Sequence, residues 1–536
     1  MNFDPLYQPY PSRRLPVYGR NGMVATSQPL AAQAGLDILK AGGNAIDAAV
    51  ATAAALTVLE PAFNGIGGDA FALVWANGEL HGLNASGPAP AALSIEALLK
   101  RGIEEIPKYG TVPITVPGAP AAWAELSSRF GRLPLSQTLE PAARYAEEGY
   151  PLPASLAYFW ARAHRIFGRQ LIGDEYAEWF RTFAPGGCAP GAGEMWASPA
   201  HAATLREIGE TRAESFYRGD LAAKIAGYIG DHGGYLTRAD LAGYKPEWVR
   251  PVSASYRGYE VWEIPPNGQG LVALMALNML DGFPAGDKES VLTYHRQFEA
   301  IKLAFADGEA YIADAAHMRA SVDGLLSRKY ADERRALITD EAALPGPGTP
   351  PSGGTVYLAA ADGEGNMVSF IQSNYMGFGS GIVIPGTGIA MQNRGHNFSM
   401  NPEHDNALAP GKRSYHTIIP GFLTRGGEAV GPFGVMGGFM QPQAHVQVVT
   451  STVDHLLNPQ AALDAPRWMW ENGRTVRVEP DFPIHIAQAL MRKGHDIQVA
   501  PDKNMFGKGQ IIWRDPVSGV LCGGTESRSD GTVAAW

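Results

Sequence analysis

The feature that most constrains this chain is a break at residues 344–355, LPGPGTPPSGGT, where proline and glycine dominate. Proline fixes φ and has no amide donor, and ordering glycine is entropically costly, so neither a helix nor a central strand can run through the segment. It is expected to be an exposed loop. Directly after it, Thr355–Asp362 (TVYLAAAD) reads as a strand, GEGN as a turn and Asn366–Ser373 (NMVSFIQS) as a second strand. The pattern predicts a hairpin that starts abruptly from the loop.

Upstream, VATSQPLAAQAGLDILKAGGNAIDAAVATAAALTVLEP reads as a short strand, a helix ending near Gly42–Gly43, and a second helix from Asn44 or Ala45. Its apolar run, Ala48 to Leu59, is too short to span a bilayer and reads as a buried helix. Residues 119–150 and 200–245, Tyr294–Ala316, His445–Leu457 and Pro483–Lys493 read as helical. Thr417–Thr424, Ala429–Val435 and Thr475–Glu479 read as strands. Helices and strands mixed without regular βαβ alternation predict an α/β layered sandwich, not a doubly wound sheet.

The 536 residues allow two to four domains or one large α/β body. A formal net charge of -10 argues against a nucleic-acid or membrane-surface partner, which would need a basic face. Two cysteines, Cys188 and Cys522, are too few for a disulfide scaffold and read as reduced thiols. No basic stretch followed by an apolar one opens the chain, so the expectation is a cytoplasmic enzyme.

The common catalytic signatures G-x-S-x-G, G-x-x-x-x-G-K-[ST] and H-E-x-x-H are absent. NGIGGDAF lacks the G-x-G-x-x-G spacing, the histidines show no tight metal-ligand spacing, and no cofactor or metal is expected. The junction Gly353–Gly354–Thr355 offers other chemistry. A threonine hydroxyl is a weak nucleophile, but a threonine at a chain terminus carries its own base, an α-amine of pKa about 7.7–8.0. A proenzyme can create that terminus if Thr355 attacks the Gly354 carbonyl, and glycine tolerates the strained backbone this needs. Read alone, a threonine starting a strand is ordinary. So is the Gly437–Gly438 pair in GVMGGFMQPQ, a tight turn whose amides could also face a developing oxyanion. SNYMGFGSG, Ser373 to Gly381, is a Gly-rich tip or a place where backbone approaches a substrate.

Taken in order, these segments resemble the γ-glutamyltranspeptidase family of N-terminal-nucleophile hydrolases along nearly the whole chain. The resemblance rests on the N-terminal run with NGIGGDAF, on YGTVP, TVPGAPAAW, FGRLPLSQTLEPAARYAEEGY, FYRGDLAAKIA, GGYLTRADLAGY and YRGYEVWEIPPNGQG. After the break it continues through GGTVYLAAADGEGN, FGSGIVIPGTGIAMQNR, GKRSYHTIIP and GVMGGFMQPQ. It implies an αββα four-layer sandwich cut at Gly354/Thr355 into a large subunit, 1–354, and a small one, 355–536, and allows a dimer of such heterodimers. It places Thr355 on the nucleophile, Ser373 on the hydroxyl that bonds it and assists processing, and Gly437 and Gly438 on the oxyanion pair.

The substrate positions depart from the family pattern. The arginine that usually holds a γ-glutamyl carboxylate falls on Ser86, in LNASGPAP, and the paired serines for that carboxylate fall on His416 and Thr417. The Gln and Asp that receive the glutamyl amine become Arg394 and Asn397, in QNRGHNF, and an asparagine near the nucleophile becomes Tyr375. Arg394 would repel an ammonium and suits a carboxylate. The resemblance extends to a branch that includes oxamate amidohydrolase proenzymes of purine catabolism. Oxamate, a tiny anionic amide, is therefore the first expectation. γ-Glutamyl or glutathione hydrolysis, a cephalosporin-type acylase on dicarboxylic side chains, and a family member that neither cleaves itself nor catalyses are the alternatives.

Overall fold

The computed structural model describes residues 14–345 and 354–536. Most of the expected proline- and glycine-rich loop therefore lies outside the described residues. Two seven-stranded antiparallel sheets form the centre. One runs Thr532–Ala535, Gly22–Thr26, Gly354–Asp362, Met367–Tyr375, Asp69–Ala76, Glu79–Ala85 and Glu247–Val249. The other runs Val17–Gly19, Leu521–Thr525, Lys508–Arg514, Glu428–Met436, Gly421–Arg425, Tyr259–Glu263 and Val252–Tyr256. They pack face to face, closely enough that a Cβ on Gly434 would lie 2.4 Å from the Tyr357 ring. Helices cover both outer faces, which gives the expected αββα sandwich. Residues before and after Thr355 contribute strands to both sheets, so a cut at Gly354 would leave two interleaved chains.

The helix Ala45–Leu59 shows how sequence sets the layering. Asn44 caps it by accepting from the amides of Ile46 and Asp47, while Asp47 accepts from the Asn44 amide, a reciprocal capping box. Every residue of the helix is buried, and a helix apolar on all sides must lie between layers. Its Ala-rich surface lets the neighbouring helix Pro29–Lys40 approach until a Cβ on Gly35 would lie 2.2 Å from Thr52 Oγ1. Among the described residues no helix is long and apolar enough to cross a membrane.

The hairpin after the break forms as expected, over Gly354–Asp362 and Met367–Tyr375. Asp362 fixes its turn: the carboxylate accepts from the amides of Glu364 and Asn366, each at 3.0 Å, and from the Ala45 amide at 3.0 Å. The strand expected over Thr417–Thr424 begins only at Gly421, because Pro420 has no N–H to give a ladder and the His416 backbone pairs instead with Asn267 and Gln269. The helices expected at His445–Leu457 and Tyr294–Ala316 run instead over Met440–Val453 and Val291–Tyr311.

Candidate active site

Thr355 sits where the hairpin begins, 1% exposed, at a register shift between Gly354 and Val356. Its hydroxyl lies 3.3 Å from Ser373 Oγ on the partner strand and accepts from Gln441 Nε2 at 3.4 Å. Ser373 Oγ in turn accepts from the Tyr375 amide at 2.8 Å. Tyr375 holds φ +74°, a conformation unfavourable for a bulky side chain, so this corner is strained.

Gly437 and Gly438 follow the strand Glu428–Met436 and precede the helix Met440–Val453. Their φ values, +141° and +61°, lie where glycine is favoured. Among the described residues neither amide donates a hydrogen bond, so both are free to serve an acceptor. Thr355 and Gly437 line one cavity of about 560 Å³, together with Met376, Gly377, Phe378 and the aromatic residues Phe63, Phe159 and Trp470. The Gly-rich segment after Ser373 thus does bring backbone to the cavity wall.

The expected substrate residues form a second, buried cluster beside Ser373. The Arg394 guanidinium stacks 4.3 Å from the centre of the Tyr375 ring and donates from Nη1 to Thr417 Oγ1 at 2.9 Å. Its Nε and Nη2 are buried without a hydrogen-bond partner. Tyr375 hydroxyl donates to Asn397 Oδ1 at 3.0 Å, so Asn397 joins the cluster through Tyr375. Ser86 makes no hydrogen bond to Arg394, whose side chain donates to Thr417. It is held by Asn84 Oδ1 at 2.7 Å and by Asn267, and serine at that position is part of an amide network.

Asp69, from NGIGGDAF, is the residue the sequence reading missed. Its Oδ2 lies 3.1 Å from His416 Nε2 and 3.9 Å from Arg394 Nε, and all three are buried. Burial pushes the Asp69 carboxyl up to about 7, against the pull of Arg394. It pushes Arg394 down to about 10, so the guanidinium stays charged at neutral pH. Burial, with Arg394 adding to it, holds His416 well below its ordinary value, and its imidazole is neutral. Gln269 was missed as well. Its Nε2 donates to Gly438 O at 2.8 Å and to Thr417 O, tying the glycine turn to the arginine cluster. Nothing local distinguishes Asp69, Gln269 or Gln441, since each acts across long sequence separations.

A third cluster, His295, Glu299 and His495, places potential ligand atoms within 4.8 Å of one another. Lys302 Nζ already lies 2.5 Å from Glu299 Oε1, so an ammonium holds the place a cation would take. Cys188 is exposed and Cys522 buried, both as free thiols.

Two antiparallel sheets between helical layers, with a hydroxyl at the head of an inner strand facing a cavity, define an amidohydrolase of the N-terminal-nucleophile fold. The chain belongs to the γ-glutamyltranspeptidase family, whose profile matches residues 31–536. A crystal structure of cephalosporin acylase from Bacillus halodurans is 65% identical, with TM-score 0.96, covering 100% of this chain and 99% of that one. The glutathione hydrolase-like YwrD proenzyme of Bacillus subtilis (strain 168) is 36% identical over 96% of this chain and 99% of its own length. The oxamate amidohydrolase proenzyme of Klebsiella pneumoniae is 35% identical over 96% of this chain and 98% of its own length.

Proposed function

We propose that the chain is a proenzyme that breaks its own Gly354–Thr355 bond and then hydrolyses an amide joining a short, carboxylate-bearing acyl group to a bulkier, largely apolar amine. The observation that carries this reading is the Thr355 hydroxyl, held between Ser373 and Gln441 on the wall of the 560 Å³ cavity that Gly437 also lines. In processing, Thr355 Oγ attacks the Gly354 carbonyl, the C–N bond breaks to give an ester and a free amine, and water hydrolyses the ester. In turnover the new α-amine takes the hydroxyl proton as Oγ attacks the substrate carbonyl. The Gly437 and Gly438 amides stabilise the oxyanion, the amine leaves with the proton, and water releases the acid.

Gly354 is the first acyl group to be attacked, so its place marks the acyl side of the site. It pairs with Tyr375 in the hairpin, and Arg394 stacks on that ring with two nitrogens that make no hydrogen bond. An acyl group that replaces Gly354 would bring a terminal carboxylate to Arg394. The Bacillus halodurans structure, described as a cephalosporin acylase, has the high identity expected of a similar pocket. A cavity of this size is ordinary for a drug-sized ligand.

Oxamate is the second reading. Arg394 suits its carboxylate, and the Klebsiella relative carries that name, but so small an amide would leave most of the apolar cavity unfilled. Hydrolysis of a glutaryl anilide, oxamate and glutathione, followed by release of amine, ammonia or glutamate, separates the cases. The proposal expects the glutaryl anilide to give the highest kcat/KM, and preference for oxamate or glutathione would overturn it.

A further inference from the structure

Lys508 begins the strand Lys508–Arg514, where it pairs with Met436, the residue before Gly437. Its side chain is 3% exposed and lines the cavity that contains Thr355. The ammonium lies 5.0 Å from the centre of the Phe63 ring and 4.8 Å from that of Phe159. Among the described residues it makes no hydrogen bond and no ion pair. Glu60, Asp530, Glu526 and Asp502 act on it only at longer range. Glu60, the strongest of these, is itself engaged by the Ser27 hydroxyl, and burial pushes its carboxyl up to about 7.

A largely buried ammonium whose donors meet no protein acceptor is costly, and cation–π contact with two rings recovers only part of that cost. A methionine or leucine would pack against the paired rings of Phe63 and Phe159 without it. A charge kept in such a place is a mark of a ligand site. Such a ligand is an anion that enters through the cavity, since the described residues supply none within bonding distance of the ammonium.

We infer that Lys508 is the specificity-determining residue for the leaving half of the substrate, and that it binds a carboxylate or similar anion carried by the amine. This rests on the acyl assignment above, which puts Arg394 on the Ser373–Tyr375 side of Thr355. Lys508 stands next to the Met436–Gly437 corner and lines the cavity, whose lining does not include Arg394. The scissile amide then lies between two cations, and the preferred substrate is anionic at both ends with an apolar body against Phe63, Phe159 and Trp470. Arg162 and Lys108 at the exposed rim would draw such a substrate in, while Glu471 and Asp502 on the same rim oppose them.

The test compares glutaryl-4-aminobenzoate with glutaryl-4-aminobenzamide, which differ only in the charge on the leaving half. The wild-type protein should prefer the benzoate, and Lys508→Met should cut the benzoate-to-benzamide ratio of kcat/KM by about tenfold or more, chiefly through KM. Lys508→Gln is the companion variant should the methionine protein not fold. In parallel, calorimetric titration of the wild type with 4-aminobenzoate and 4-aminobenzamide should show tighter binding of the benzoate, lost in the variant. An unmoved ratio, or equal binding of the two anilines by the wild type, overturns the inference even where the glutaryl amides are cleaved. A benzoate preference in binding that Lys508→Met removes, without cleavage of either glutaryl amide, sustains the inference and overturns the acyl assignment instead.

Discussion

Replacing Arg394 with glutamine probes the acyl side of the site. Its Nε and Nη2 have no hydrogen-bond partner among the described residues, Asp69 lying 3.9 Å from Nε, and two charge-assisted bonds to a substrate carboxylate at about 1.5 kcal/mol each amount to about 3 kcal/mol. At 1.4 kcal/mol per tenfold, that is a loss of about 100-fold in kcat/KM. The loss should be confined to acyl groups with a terminal carboxylate. The assay is therefore the ratio of kcat/KM for glutaryl-4-nitroanilide to that for pentanoyl-4-nitroanilide, which keeps the chain length and removes the charge. Stability should change little. The variant gives up one bond to Thr417 and the stacking on Tyr375, but it also removes a desolvated charge, and the raised pKa of Asp69 lets that carboxyl stay protonated. A ratio within about threefold of the wild-type value would refute the carboxylate role, since about 0.6 kcal/mol is too small for even one such bond.

Gly437→Ala places a side chain on a backbone at φ +141° beside the proposed oxyanion position. It should lower kcat by about 100-fold or more while KM moves less, and a variant with wild-type kcat would remove Gly437 from the mechanism. Asp69, with its pKa raised to about 7 by burial, should lose its proton and compete for Arg394 as pH rises through 7, so KM for the glutaryl anilide should rise across that range and flatten in Asp69→Asn. Because the folded pKa lies above the unfolded one, this group's contribution to stability is present in acid and is lost as pH rises through 7. Thermal melts from pH 5 to 8 should show the wild type losing ground to Asp69→Asn, and parallel curves would argue against the assigned shift.

The parts of the fold that were legible in sequence are those fixed by short-range chemistry. The capped, Ala-rich helix from Asn44 and the hairpin after the proline- and glycine-rich break need only neighbouring residues to specify them. The strand expected at Thr417 was placed four residues early because its apolar pattern continues through Ile418 and Ile419, while the backbone there serves the site: Gln269 N donates to His416 O at 2.9 Å. The candidate nucleophile and its glycine pair were legible through their junctions. Arg394 was legible as a change of charge, but its partner was not, because Asp69 reaches it only after the Asp69–Ala76 strand docks beside Met367–Tyr375. Lys508 reads in sequence as a lysine opening a strand. Only the placement of the packed pair Phe63 and Phe159 over its ammonium shows that its charge is buried.

The central claim is that Thr355 is both the cleavage point and the nucleophile. Intact-mass measurement of the purified protein tests it most directly, on the wild type and on Thr355→Ala. The account predicts two wild-type chains whose masses correspond to a break between Gly354 and Thr355, and a single uncut chain for the variant. A wild-type protein that stays whole, or a Thr355→Ala protein that is cut at the same bond, would contradict it.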